Sequence, residues 1–291
     1  MNRICVWFAL LVFICPPAFA YEGQRTNSIL LDGVWEFAVG EGDEGAQTAE
    51  GQDGLSWKEV TLPGPFLEWS QEAATTIPFV WAKRTFEVTE SQAESLAVLR
   101  WNHVTLGATA YINGRQVGRN EPTGPYQVML PEGVLKPGAN EIVLKVAGAA
   151  GVRKAASGYF LIPAGFASCH RRGMPAVLDD VWIDFADTVY LKWVLAMPDL
   201  PAGKVRLRIT PAGLAPLGDF EISASVRPWP EGEVIGTGST SARLHPDPNP
   251  LGGEHFFVDV PMPDYKPWTY EEPNLYVAEV TARQGGRVLD T

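Results

Sequence analysis

Carboxylates that could do chemistry stand in three places: Asn140-Glu141, Asp179-Asp180 and Glu271-Glu272. Two carboxyls flanking a bond can protonate the leaving group and supply a base or nucleophile on the other side. Adjacent residues on a strand point to opposite faces, so neither the Asp pair nor the Glu pair makes a facing dyad by itself. Asn140-Glu141 follows Lys136-Pro137-Gly138 and opens an apolar alternation, which predicts a turn-and-strand role for Glu141 rather than a catalytic one. Cys169-His170 offers a thiol and an imidazole, but a nucleophilic thiol needs a base oriented towards it. His103, His245 and His255 are scattered away from ligand spacing, so no metal centre is expected. Glycine-rich stretches lead into strands and not into helix N-termini, so no phosphate cradle and no cofactor are expected. Indoles can stack on sugar C–H faces. Trp35, Trp57, Trp81, Trp101, Trp182 and Trp193 fall within or beside strand patterns, which predicts core packing. Trp69 and Trp229 lie beside loops and are the freer candidates.

The elements that must carry these residues alternate with a period of two almost throughout. Gly33–Val39, Trp57–Leu62, Phe79–Val88, Glu141–Val146 and Asp180–Phe185 read as strands of a first unit. Thr109–Ile112 runs into Asn113-Gly114, a pair that tolerates positive φ at both central turn positions, and Gln116-Val117-Gly118 starts the return strand. The one helical signal is a turn near Ser91–Ser95. Residues 186–204, with Pro198 and Pro201, read as the junction. A fresh alternation then runs through Lys204–Ile209, Phe220–Val226, Phe256–Val260 and Leu275–Ala282, with His245–Gly253 as a long loop. Short strands at this spacing predict an all-β chain of sandwich or barrel units, not βαβ. The boundary is placed near residue 188, giving units 21–188 and 189–291.

Residues 1–20 read as a signal peptide: Arg3, an apolar run from Ile4 to Cys15, then Ala18-Phe19-Ala20 as a cleavage site. That run is shorter than the ~20 apolar residues a bilayer span needs, and no other stretch approaches that length. The expected location is therefore periplasmic or extracellular, with no membrane span. Removing residues 1–20 takes away Arg3 and no acid, moving the formal net charge from −11 to −12. Such a surface repels phosphate backbones, so nucleic acid is not an expected partner. Cys5 and Cys15 leave with the signal, and Cys169 alone cannot form an intrachain disulfide.

Several strings occur in an order that carries a resemblance. They are Leu31-Asp32-Gly33-Val34-Trp35-Glu36-Phe37, then Trp57 with Val60-Thr61-Leu62-Pro63, then Trp81-Ala82-Lys83-Arg84-Thr85-Phe86. Ala110–Gly118, built around Tyr111-Ile112-Asn113-Gly114, and Leu135–Ile142, with Gly138-Ala139-Asn140, come next. Lys266-Pro267-Trp268 and Glu272-Pro273-Asn274-Leu275-Tyr276 close the series. In this order they resemble the front part of glycoside hydrolase family 2, which includes β-galactosidases, β-glucuronidases and β-mannosidases. The resemblance implies a jelly-roll, galactose-binding-like β-sandwich followed by an immunoglobulin-like β-sandwich. It departs from the family pattern at Ala82, where an aromatic is usual, and at Asp179, where an arginine is usual.

In that family both catalytic glutamates sit on a (β/α)₈ barrel of ~250 residues that follows these two units. No catalytic residue is therefore expected in this sequence, and by itself the chain is expected to be inactive. The resemblance makes Asp180, in Asp180-Val181-Trp182-Ile183, the candidate substrate-binding residue, because the matching Asp of β-galactosidases can reach the sugar pocket. The expected partners are carbohydrate and a catalytic (β/α)₈ barrel. The leading expectation is the non-catalytic N-terminal region of a family 2 glycoside hydrolase. The alternative is a free-standing exported carbohydrate-binding or adhesion module.

Overall fold

Asn113 and Gly114 both take positive φ, 49° and 79°, as a two-residue hairpin turn requires. They join β7 (Ala108–Ile112) to β8 (Arg115–Asn120). The computed structural model describes residues 25, 27–40, 55–66, 76–105, 107–120, 124–148, 175–213, 218–244 and 253–291. Residues 1–20, read from the sequence as a signal peptide, and Trp69, Cys169, His170 and His245 lie outside the described residues. The hairpin is one edge of a six-stranded sheet in the order β3 (Lys58–Leu62), β2 (Gly33–Gly40), β5 (Phe79–Val88), β10 (Gly138–Ala147), β7, β8. A second sheet runs β1 (Ser28–Leu30), β12 (Val181–Ala186), β6 (Leu96–Val104), β11 (Ala176–Val177), β4 (Gly64–Pro65), and β9 (Gly124–Met129) pairs with β6. Every pairing in the two sheets is antiparallel. The sheets enclose one apolar core that runs from Leu31 to Phe185 and includes Trp35, Phe37, Leu99, Trp101, Ile142 and Ile183.

The remaining strands form a smaller sandwich. One sheet orders β13 (Val189–Asp199), β14 (Lys204–Gly213) and β17 (Phe256–Pro261); the other orders β16 (Gly236–Ala242), β15 (Phe220–Pro228), β18 (Tyr276–Gln284) and β19 (Arg287–Asp290). Leu207, Ile209, Ile222, Val258, Val260 and Ala282 fill its separate core. The chain is thus all-β, a jelly-roll sandwich followed by an immunoglobulin-like one. A short helix, α1 (Glu90–Ala93), starts at Thr89, whose side chain caps Gln92 N–H while the Gln92 side chain caps Thr89 N–H.

Two readings need correction. Val189–Asp199, expected as a junction, is the eleven-residue strand β13. Proline is tolerated there because β13 is an edge strand, where a missing N–H breaks no ladder bond on the open side. Period-two alternation also fails to mark β6. Its Ala97, Leu99 and Trp101 enter the main core, while Leu96 and Val98 pack on the other face against Ala186 and Tyr190. A strand buried on both faces reads as a continuous apolar run.

Candidate functional site

The bend between β1 and β2 is held from three directions. Arg84 Nη1 donates to the carbonyl of Leu31 at 2.9 Å and to that of Asp32, and Trp35 Nε1 donates to Leu31 at 2.6 Å. Gly33 follows with φ of +113°, and a Cβ there would sit 3.1 Å from Arg84 Nη1. The Leu-Asp-Gly-x-Trp string and the Lys-Arg-x-Phe string are therefore two halves of one local device. It fixes where the Asp32 carboxyl points.

Asp180 lies just before β12 on the connection from β11. Leu178 N–H donates to His103 O at 2.8 Å, Asn102 N–H donates to Asp180 O at 3.3 Å, and Asp180 N–H donates to Asp179 Oδ1 at 2.8 Å. These bonds tie the connection to the end of β6. Asp32 Oδ1 accepts from Val181 N–H at 3.3 Å, which sets the Asp32 carboxyl beside that of Asp180. Burial raises the Asp32 carboxyl to about 6; the neighbouring Asp180 adds to the rise, and Val181 N–H and Arg84 oppose it. A carboxyl held up to about 6 is partly protonated near that pH, so Asp32 can both donate to and accept from a hydroxyl. A retaining glycosidase pair stands ~5–5.5 Å apart with the sugar between. Two neighbouring carboxyls on one bend, beside Val181 N–H, are not placed across such a gap. The geometry suits hydroxyl binding, not bond cleavage between the two.

The other candidates separate. Asp179 serves as the acceptor for Asp180 N–H. Glu271 and Glu272 are exposed in a turn closed by Thr269 N–H to Glu272 O and Glu272 N–H to Thr269 Oγ1, both 2.9 Å. Glu141 is exposed on β10, while Asn140 beside it is buried and fully engaged. Asn140 Nδ2 donates to Lys136 O and Gly138 O, and its Oδ1 accepts from Lys136 N–H and from Asn113 Nδ2 at 2.8 Å. Asn113 Oδ1 in turn accepts from Glu141 N–H. The two asparagines interlock the hairpin turn with the start of β10, so this Asn-Glu dipeptide is structural.

Trp35, Trp81 and Trp101 are buried, and Trp57 and Trp182 lie partly buried under Lys83 and Arg100. Trp193 is a correction: expected in a core, it is 51 % exposed, just past the register shift that β13 makes between Leu191 and Trp193. Trp229 is 45 % exposed. His255 Nδ1 lies 2.8 Å from Thr210 Oγ1. Among the described residues no group of three or more His, Cys, Asp or Glu could hold a metal ion, and no helix is long and apolar enough to cross a membrane. Sequence reasoning missed Asp32 as the partner of Asp180. The signal was its place in the Leu-Asp-Gly string, but 149 residues separate it from the Val181 N–H that it accepts.

This is a protein of two antiparallel sandwiches with a paired-acid corner on the first. No protein-family model matches the chain, and no curated protein matches it in sequence. Solved structures match it in fold. A glycosyl hydrolase family 2 member from Bacteroides cellulosilyticus superposes with a TM-score of 0.64 at 13 % identity, over 90 % of this chain and 34 % of that one. A putative β-galactosidase from Bacteroides fragilis gives 0.66 at 15 %, over 91 % and 40 %. The β-glucuronidase of Bacteroides uniformis gives 0.61 at 19 %, over 91 % and 31 %. The chain shares its fold with members of glycoside hydrolase family 2 and spans about a third of their length.

Proposed function

We propose that this chain is the non-catalytic region of a family 2 glycoside hydrolase, with residues 21–188 and 189–291 as two domains that support a catalytic (β/α)₈ barrel. In this reading Asp180, with Asp32, lines the rim of a carbohydrate pocket completed by the barrel. The supporting observation is the apolar surface of the second sandwich. Trp193, Val194 and Leu195 are exposed in a row on β13, and Trp229, Trp268, Tyr270 and Leu275 are exposed on loops, with Trp229 N–H bonded to Leu275 O. Large exposed apolar groups of this kind mark contact surfaces. An aromatic surface could instead bind sugar directly, which keeps the free-standing carbohydrate-binding or adhesion module as the second reading.

Two measurements separate them. Purified chain should turn over no nitrophenyl glycoside and give flat calorimetric titrations against a broad glycan panel, while the DNA after codon 291 should encode a barrel of ~250 residues. Glycan binding by the chain with no barrel downstream would favour the second reading. Residues 1–20 direct export in either case. N-terminal sequencing of the secreted product should begin at Tyr21, and retention of Met1 would refute that part.

A further inference from the structure

We propose that Arg25 is a clasp: it pins the first sandwich to the second and makes the two unfold as one cooperative unit. Arg25 stands ahead of β1, yet its guanidinium reaches three strands. It donates to the Asp290 carboxylate on β19 and to the Leu191 carbonyl on β13, and its Nε lies 3.3 Å from Asp184 Oδ2 on β12. The same guanidinium lies 4.0 Å from the centre of the Tyr190 ring. The side chains of Arg25, Asp184 and Asp290 are 11 %, 0 % and 3 % exposed.

The apolar contact across this seam is small: Leu96, Val98 and Ala186 with Tyr190, and Met129 packed beside them. None of these belongs to either main core. What holds the seam is therefore mostly polar. Asp184 has further partners, in Ser28 Oγ at 2.7 Å, Arg100 Nη1 at 2.9 Å and Tyr190 Oη at 3.1 Å. Burial lifts the Tyr190 phenol to about 12, so it remains a donor to Asp184. Asp290 keeps only two backbone donors besides Arg25, Leu191 N–H at 2.6 Å and Thr291 N–H at 2.9 Å. Burial lifts the Asp290 carboxyl. At Arg25 burial opposes the charge, and Asp290, Tyr190 and Asp184 outweigh it. The convergence of three donors on Asp290 favours the charged pair. Removing one member of a buried ion pair leaves the other uncompensated. Loss of Arg25 would fall hardest on Asp290, at the seam, and leave both cores intact.

Calorimetry and amide hydrogen exchange on the full chain test this. The wild type should melt in one transition. Arg25→Gln should melt in two, with exchange protection in β13 and β19 falling at least ten-fold while β5 and β10 keep theirs. Asp290→Asn, which preserves shape, should do the same and decides the matter should Arg25→Gln fail to fold. Arg243→Gln, which breaks the exposed pair with Asp219, should change neither readout. A single transition with unchanged protection in the Arg25 and Asp290 variants, or an equal loss in both cores, overturns the proposal.

Discussion

Asn140 carries a larger share of the structure than any charged residue near it. Its four polar contacts join the Lys136–Gly138 turn to Asn113, so truncation strands several buried groups at once. Asn140→Ala should destabilise the chain by about 2–4 kcal/mol, read as a shift in urea midpoint at constant slope; Glu141→Gln should be neutral. Asp32 makes a different prediction, about pH. Its folded value, about 6, lies above its ordinary value of 3.8. Its stabilising contribution is therefore complete below the ordinary value and is lost as pH rises through 6. At this partly exposed site the loss should be on the order of 1 kcal/mol after solvent screening. Asp32→Asn should flatten stability between pH 4 and 7 in denaturant titrations, and an unchanged slope would count against the raised Asp32 carboxyl.

Among the elements, β13 divides into two halves with different duties. Tyr190 is buried at the seam and its neighbours Val189 and Leu191 in the second core, whereas Trp193 to Ala196 are exposed. Trp193→Ser should accordingly change folding stability by less than about 1 kcal/mol, as surface substitutions do. Trp101→Ala, inside the first core, should cost about 3–5 kcal/mol. Equal costs would mean that the outer half of β13 is covered in the isolated chain. The β7–β8 hairpin was legible in advance because Asn113-Gly114 acts locally, through backbone conformations that few residues accept. At φ of +79° Gly114→Val should destabilise by about 1–2 kcal/mol, with the loss measured against the neutral substitution of exposed Arg115. β6 was not legible, because a covering surface from another part of the chain removes the alternation that would reveal it.

At the scale of the whole molecule, function divides between what the chain holds and what it presents. It holds a paired-acid corner at Asp32 and Asp180, fit to bind hydroxyls. It presents an apolar and aromatic surface on its second sandwich, fit to meet another body. Both belong to the proposed non-catalytic role, and the glycan and glycoside measurements above test them together. The clasp at Arg25 matters here as well, since a surface spanning two sandwiches can meet a partner in one geometry only when the sandwiches keep a fixed angle.

The sequence by itself determined the all-β class, the hairpin turn, the alternating strands of both sandwiches though not β6 or β13, and the order of strings that resembles family 2 glycoside hydrolases. The turn, each strand pattern and each single string depend on residues within about ten positions of one another, where backbone preference and side-chain alternation act directly. Tertiary structure alone decided that Asp32 stands beside Asp180, where it accepts from Val181 N–H. It also exposed Trp193, turned Val189–Asp199 into an edge strand, and brought Arg25 to Asp290, 265 residues away. Contacts at that separation depend on how two sheets fold over a core, and no local pattern in the chain records them.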